Sequence, residues 1–240
     1  VIEGYKIINV TDYLSSSEFE EYSTNIKKFN VDLSKIESPL DFLALGSGVI
    51  KHILIEDSSR YRKIKEKNKI DYDDYLFLNQ LNIKYNIPVD EYFNFFLHIA
   101  NTEYNESTLF KIIKKVYVGF LESHFNKKVK PEEINQILGG INVYPKGSSI
   151  RKHVDTGVNS DRLLTTLFFL NENRTYDDGS ILKIYTKDDV IDVIPNYEKF
   201  VVLEHQDFNY VHEVTRNTSE NVRYTIYNPF SIEDYETKLT

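Results

Sequence analysis

Apolar residues recur at three- and four-residue spacing through about the first 135 residues, in segments near 18–29, 40–55, 72–85, 90–100 and 107–125, and this period predicts helices. The clearest is STLFKIIKKVYVGFLESHF, where Leu109, Ile112, Ile113, Val116, Phe120 and Leu121 share one face. Pro131-Glu132-Glu133 opens a further short helix, with proline in the first turn and acids at the positive end of the dipole. From about residue 138 the texture changes. Eight short runs of strand length follow: GGINVYP, SIRKHVD, LLTTLFFL, SILKIY, VIDVIP, KFVVLE, NYVHEV and VRYTIYNP. Pro145-Lys146-Gly147, Asp177-Asp178-Gly179 and Pro195-Asn196 mark turns between them. Eight strands joined by tight turns suit a jelly roll, two sheets face to face. The expected class is α+β, a jelly-roll core with a helical N-terminal half packed on it, as one domain over 1–240. Its parts are a mainly helical region 1–137, a core 138–230 and a tail 231–240.

Composition narrows the chemistry. Apolar residues are 41% and charged residues 28% of the 240, the balance of an ordinary globular chain with a real core. No apolar run approaches the roughly 18 residues needed to cross a bilayer, and VIEGYKIINVTDYL lacks the basic start and apolar stretch of a signal peptide. With no cysteine, disulfides, thiolate nucleophiles, zinc–cysteine sites and iron–sulfur clusters are excluded. The expectation is a cytoplasmic protein without a membrane span. A net charge of −8 argues against a broad nucleic-acid surface, which needs lysine and arginine to displace counterions.

Candidate chemistry lies in the strings SSIRKHVDTG, NYVHEVTRN and NVRYTIYNPF. On a strand, residues two apart share a face, so His153 and Asp155 aim the same way. His212, from a distant strand, completes two imidazoles and one carboxylate, the set that holds non-haem Fe(II) on one face and leaves the other open. Arg223, shortly after it, is a fork-shaped cation suited to a dicarboxylate co-substrate. A lone His-x-Asp is usually two surface residues on an edge strand; here the later histidine, the arginine and the strand context agree. A second pair, His205-Gln206-Asp207, is a competitor, but it lies too close to His212 along the chain for all three to converge. His52, His98 and His124 fall in helical patterns without a partner at ligand spacing and are expected to be structural or solvent-facing.

From about Asn142 to Pro229 the chain resembles the prolyl 4-hydroxylase-like branch of the 2-oxoglutarate/Fe(II) oxygenases. VYPKGSSIRKHVD resembles the entry Tyr-Pro-x-Gly…His-x-Asp. RLLTTLFFLNE resembles Arg-x-x-Thr…Tyr-Leu-Asn, DDGSILKIY the Gly-Gly-x-Leu-x-Ile-Tyr strand, and VHEV…RYTIYNPF the closing His-Glu-Val…Arg. The resemblance implies a double-stranded β-helix and Fe(II), with 2-oxoglutarate and O2 as co-substrates. It implies His153, Asp155 and His212 as metal ligands, Arg223 on the distal carboxylate of 2-oxoglutarate, Tyr144 near that co-substrate and Thr225 supporting the same carboxylate. Phe169 stands where hypoxia-factor prolyl hydroxylases carry a tyrosine, Ser180 replaces the second glycine of Gly-Gly, and Arg223 falls late, which implies a longer turn through 217–221.

The activity so implied is hydroxylation of a C–H bond, with succinate and CO2 as co-products. Related halogenases have glycine or alanine where Asp155 stands, so the carboxylate favours hydroxylation over halogenation. The substrate expected is a small molecule, an amino acid or natural-product intermediate. The alternatives are a peptidyl proline, a nucleic-acid target (which the acidic charge opposes), a non-enzymatic jelly-roll binding protein, and a cupin-type dioxygenase without 2-oxoglutarate. Substrate identity, stereochemistry and oligomeric state are not written in these motifs.

Overall fold

A computed structural model describes residues 4–31, scattered positions between 37 and 98, and residues 103–155, 161–205 and 210–240. The strands are β1 (Tyr5–Asn9), β2 (Glu37–Pro39), β3 (Lys69–Asp71), β4 (Phe95–His98), β5 (Gly140–Tyr144), β6 (Ile150–His153), β7 (Arg162–Phe169), β8 (Leu182–Tyr185), β9 (Val190–Val193), β10 (Lys199–Glu204), β11 (Val211–Val214) and β12 (Arg223–Ser231). The helices are α1 (Ser16–Lys28), α2 (Thr108–Phe125) and α3 (Ile232–Lys238). The eight runs read as strands are β5 to β12. They divide between two antiparallel sheets, one ordered β1-β10-β7-β12-β5-β4, the other β6-β11-β8-β9.

The period of two along each strand of the larger sheet separates two cores. On one face Ile141, Val143, Leu164, Phe168, Phe200 and Ile226 meet α1 and α2. The face expected of the long apolar helix is the one it buries: Leu109, Ile113, Val116, Phe120 and Leu121 are all at most 4% exposed. On the other face Tyr144, Leu167, Phe169, Val201 and Leu203 meet Leu182, Ile184 and Val214 of the smaller sheet. The order is helices, six-stranded sheet, four-stranded sheet, and the space between the two sheets is where the site lies.

Local chemistry sets the helix ends. Ser15 caps α1: its Oγ accepts from the Glu18 N–H at 3.4 Å while Glu18 Oε2 accepts from the Ser15 N–H at 3.0 Å. Ser107 caps α2 through its side chain alone, its Oγ accepting from the Phe110 N–H at 3.4 Å, and Asn126 ends the helix in the left-handed region at φ 51°. The short helix opened by Pro131 is a 3-10 turn over Pro131–Gln136. α3 lies within the segment read as a tail.

Two expectations from the N-terminal half need correction. The segment near 90–100 is not helical where it is described: Phe95–His98 forms β4, pairing with β5 in the register Phe95↔Val143. Its apolar run is too short for periodicity to distinguish helix from strand, and the free edge of β5 decides. Tyr5–Asn9, which the helical reading passed over, adds to β10 at the other edge. The segment near 40–55 lies outside the described residues, and of 72–85 only isolated positions are described.

Candidate metal and co-substrate site

β11 runs between β6 and β8, and His212 is the direct cross-strand partner of His153. The two rings therefore face each other, with centroids 4.2 Å apart. β6 ends at His153, so Asp155 reaches the site from just beyond the strand rather than from its pleat. Asp155 Oδ1 is 3.4 Å from His153 Nε2 and 3.6 Å from His212 Nε2. Donors about 2.1 Å from a shared ion, at right angles, stand roughly 3 Å apart, so a small settling of these side chains closes the set around one cation. These three are the group of possible metal ligands found among the described residues, their donor atoms all within 4.8 Å of one another. Two imidazoles and one carboxylate with an open face fit Fe(II).

Electrostatics favours the ligand-ready forms. Burial alone would raise the Asp155 carboxyl, but its hydrogen bond to His153 and the field of His212 outweigh that and hold it well below the usual carboxylate range. Burial lowers His212, against the pull of Asp155, and so favours the neutral ring a metal needs. The ring nitrogens facing away are held by backbone carbonyls: His153 Nδ1 is 2.8 Å from Arg151 O, and His212 Nδ1 is 3.2 Å from Tyr210 O.

The cationic end of the site comes from β12. Arg223, Thr225 and Tyr227 alternate onto its inner face, opposite Tyr144 and Asn142 of β5 in the pairs Arg223↔Tyr144 and Thr225↔Asn142. Arg223 is 0% exposed. Its Nε donates to Thr225 Oγ1 at 3.0 Å and its Nη1 to the Ser180 carbonyl at 2.7 Å, and the guanidinium lies 4.8 Å from the Tyr144 ring centre and 5.4 Å from that of Phe169. No carboxylate among the described residues pairs with it, and burial pulls its pKa down to about 10. Burial pushes the Tyr144 phenol up to about 12 against the effect of that cation. A cavity of about 420 Å³ joins Arg223, Tyr144 and Thr225 to His153, Asp155 and His212. All six residues singled out from the sequence line one space.

The turn before Arg223, expected to be long, is organised by Asn217, which sequence reading passed over. Asn217 is 1% exposed; its Nδ2 donates to the Tyr144 and Asn221 carbonyls at 2.8 and 3.0 Å, and its Oδ1 accepts from Arg174 at 2.8 Å. Arg162 and Thr165 stand in the Arg-x-x-Thr motif without a role read for them, and Tyr227 was not singled out. Arg162 Nη1 donates to the Asp155 carbonyl at 2.8 Å. His205, the competitor, is not in that group: its Nε2 stands 2.9 Å from Thr165 Oγ1 and 3.9 Å from Asp155 Oδ2, behind the acid. Its partner in that pair, Asp207, lies outside the described residues. His124 packs between Phe120 and Phe125, with centroids 5.3 and 4.6 Å away. His52 is outside the described residues, and His98 lies on β4.

Residues 139–229 match the model of the 2OG-Fe(II) oxygenase superfamily. Its chemistry uses Fe(II), 2-oxoglutarate and O2. A search of curated proteins finds no match. Among solved structures the fold is similar to a prolyl hydroxylase in complex with a hypoxia inducible factor oxygen degradation domain peptide fragment, from Trichoplax adhaerens. That likeness has a TM-score of 0.54 at 16% identity, over 98% of this chain and 87% of that one. A Pseudomonas putida prolyl-4-hydroxylase gives 0.49 at 15% identity, over 95% and 92% of the two chains. A 2OG-Fe(II) oxygenase family oxidoreductase from Burkholderia pseudomallei gives 0.47 at 13%, over 94% and 84%. At such identities the likeness is one of fold. No helix among the described residues is long and apolar enough to cross a membrane.

Proposed function

We propose that this chain is a 2-oxoglutarate-dependent Fe(II) dioxygenase of the prolyl 4-hydroxylase-like branch that hydroxylates a C–H bond of a small molecule, an amino acid or natural-product intermediate. One observation carries the reading: Arg223, a fully buried guanidinium with no acid partner among the described residues, opens on the same cavity as His153, Asp155 and His212. Burying an unpaired cation is costly, and a carboxylate arriving from solution offsets that cost. The division of β5 to β12 between two facing sheets supports a double-stranded β-helix over 138–230. The packing of α1, α2 and β1 on its larger sheet supports treating 1–240 as one oxygenase domain. The cytoplasmic setting expected of a cysteine-free chain belongs to the same reading.

In this reading His153, Asp155 and His212 hold the metal. Fe(II), when bound with 2-oxoglutarate and O2, supplies the oxidising power for hydroxylation and yields succinate and CO2. Arg223 grips the distal carboxylate of the co-substrate, and Thr225, accepting from Arg223 Nε, fixes the plane of the fork. Tyr144 and Phe169 flank the guanidinium. Phe169 leaves no hydroxyl where the resemblance places a tyrosine, so the guanidinium and Tyr144 carry the polar contacts. Ile150, Leu182 and Val214 line the cavity with apolar surface that excludes water from it. Asp155 occupies a coordination position with a negative charge, which favours hydroxylation over halogenation. About 420 Å³ accommodates a small dicarboxylate together with a small substrate or one side chain.

A peptidyl proline is the second reading. The likeness to the Trichoplax enzyme, described with a peptide bound, favours it. The test is succinate release under Fe(II), 2-oxoglutarate and O2 against amino acids, carrier-bound acyl groups and proline-rich peptides, with products followed by mass. A substrate-dependent gain of 16 Da on a small molecule supports the first reading, the same gain on a peptide the second. Absence of 2-oxoglutarate binding and turnover overturns both in favour of a binding protein.

A further inference from the structure

Asp155 presents its two oxygens to different neighbours. Oδ1 faces the imidazoles of His153 and His212 at 3.4 and 3.6 Å. Oδ2 faces away from them, 3.8 Å from Arg162 Nη1 and 3.9 Å from His205 Nε2, and is buried without a hydrogen bond among the described residues. A carboxylate that is to ligate through one oxygen needs donors on the other. Thr165 of β7, 0% exposed, is a side-chain neighbour of this carboxyl. His205 stands behind Thr165, its side chain fully buried and its backbone N–H tied to the Leu163 carbonyl at 2.8 Å.

The tautomer of His205 follows from its surroundings. Nδ1 is buried and has no partner among the described residues, whereas Nε2 is 2.9 Å from Thr165 Oγ1. An orphaned buried N–H is rarer and costlier than a bare acceptor, so the proton belongs on Nε2. Nε2–H then donates to Thr165 Oγ1 and leaves the threonine hydrogen for a second acceptor; of its two side-chain neighbours, Asp155 and Tyr227, the Asp155 carboxylate is the stronger acceptor.

We propose that His205 is a positioning residue that, through the Thr165 hydroxyl, locks the Asp155 carboxylate so that a single oxygen faces the metal. This rests on the metal reading above. It gives the histidine of the second His-x-Asp a place behind the site rather than in it.

Cobalt(II) titration of the full chain tests it, because the visible d–d bands report coordination geometry without turnover. His205→Leu and Thr165→Val are expected to weaken Co(II) binding by about 10- to 100-fold and to shift the bands. His205→Gln, which keeps a donor near the Nε2 position, and Thr165→Ser are expected to stay close to wild type. Unchanged affinity and spectrum in His205→Leu and Thr165→Val overturn the proposal, as does a His205→Gln variant as weak as His205→Leu. Should His205→Leu fail to fold by circular dichroism, the near-isosteric Thr165→Val decides. If wild type itself binds no Co(II), or His153→Ala leaves binding unchanged, the metal reading falls, and the relay with it. A loss confined to the His205 and Thr165 behaviour leaves the metal reading standing.

Discussion

Arg223 and Ser180 join the two sheets: Nη1 of the arginine on β12 donates to the serine carbonyl just ahead of β8, at 2.7 Å. The carbonyl points there because the chain turns left-handed twice, at Gly179 (φ 65°) and at Ser180 (φ 54°). A Cβ on Gly179 would meet the Arg216 carbonyl oxygen at 2.0 Å. Ser180 carries a left-handed conformation on a non-glycine residue, and its own Oγ is buried without a partner. Ser180→Gly removes both penalties and is expected to raise stability by about 1 kcal/mol after glycine's entropy cost. Gly179→Ala is expected to lower it by more than about 1 kcal/mol. Denaturant unfolding of the two variants checks the opposite signs.

Arg223→Ala is expected to weaken 2-oxoglutarate binding by ~2–4 kcal/mol, the range for losing one partner of a buried charged pair. Arg223→Lys keeps the charge but not the fork and is expected to fall between. Binding of 2-oxoglutarate by calorimetry, or its KM, gives the measurement. An unchanged value for Arg223→Ala removes the arginine from the co-substrate site.

Asp155→Ala is expected to abolish hydroxylation and to weaken metal binding, since the two imidazoles alone leave the site one anionic donor short. Near-normal succinate and hydroxylated product from this variant would refute the ligand assignment.

Glu18 ties the first turn of α1 to Lys115 of α2 and holds the Ser15 cap. The hydrogen bond from Lys115 and those from Ser15 lower its carboxyl from an ordinary value of 4.5 to about 2. A lowered folded-state value stabilises above the unfolded one and loses that contribution as pH falls through the folded one. The stability difference between wild type and Glu18→Gln is therefore expected to be constant above pH 4.5 and to shrink toward pH 2. A difference independent of pH would contradict the lowered carboxyl and the ties assigned to it.

The core of the fold was readable because strands punctuated by turn residues leave a local record. Gly147, Gly179 and the Asp177-Asp178 turn stand where the sequence puts them, and each of the eight runs is a strand. His153 and His212 were readable for the same reason: each falls on the inward parity of its own strand. What local pattern does not carry is the partner across the sheet. Phe95–His98 became a strand because β5 offered an edge, and Tyr5–Asn9 because β10 did. Thr165, a hydroxyl inside an apolar run, and His205, a residue past the end of β10, touch Asp155 only through the closure of the sheets. Asn217 sits in a loop whose length was legible and whose wiring was not.

The most direct measurement is an anaerobic titration of the protein with Fe(II) and 2-oxoglutarate, followed by visible absorption. One Fe(II) per chain and a weak charge-transfer band that needs both components, lost in His212→Ala and requiring much more 2-oxoglutarate in Arg223→Ala, are the expected results. No band, or one that survives His212→Ala, would contradict a shared site for His153, Asp155, His212 and Arg223.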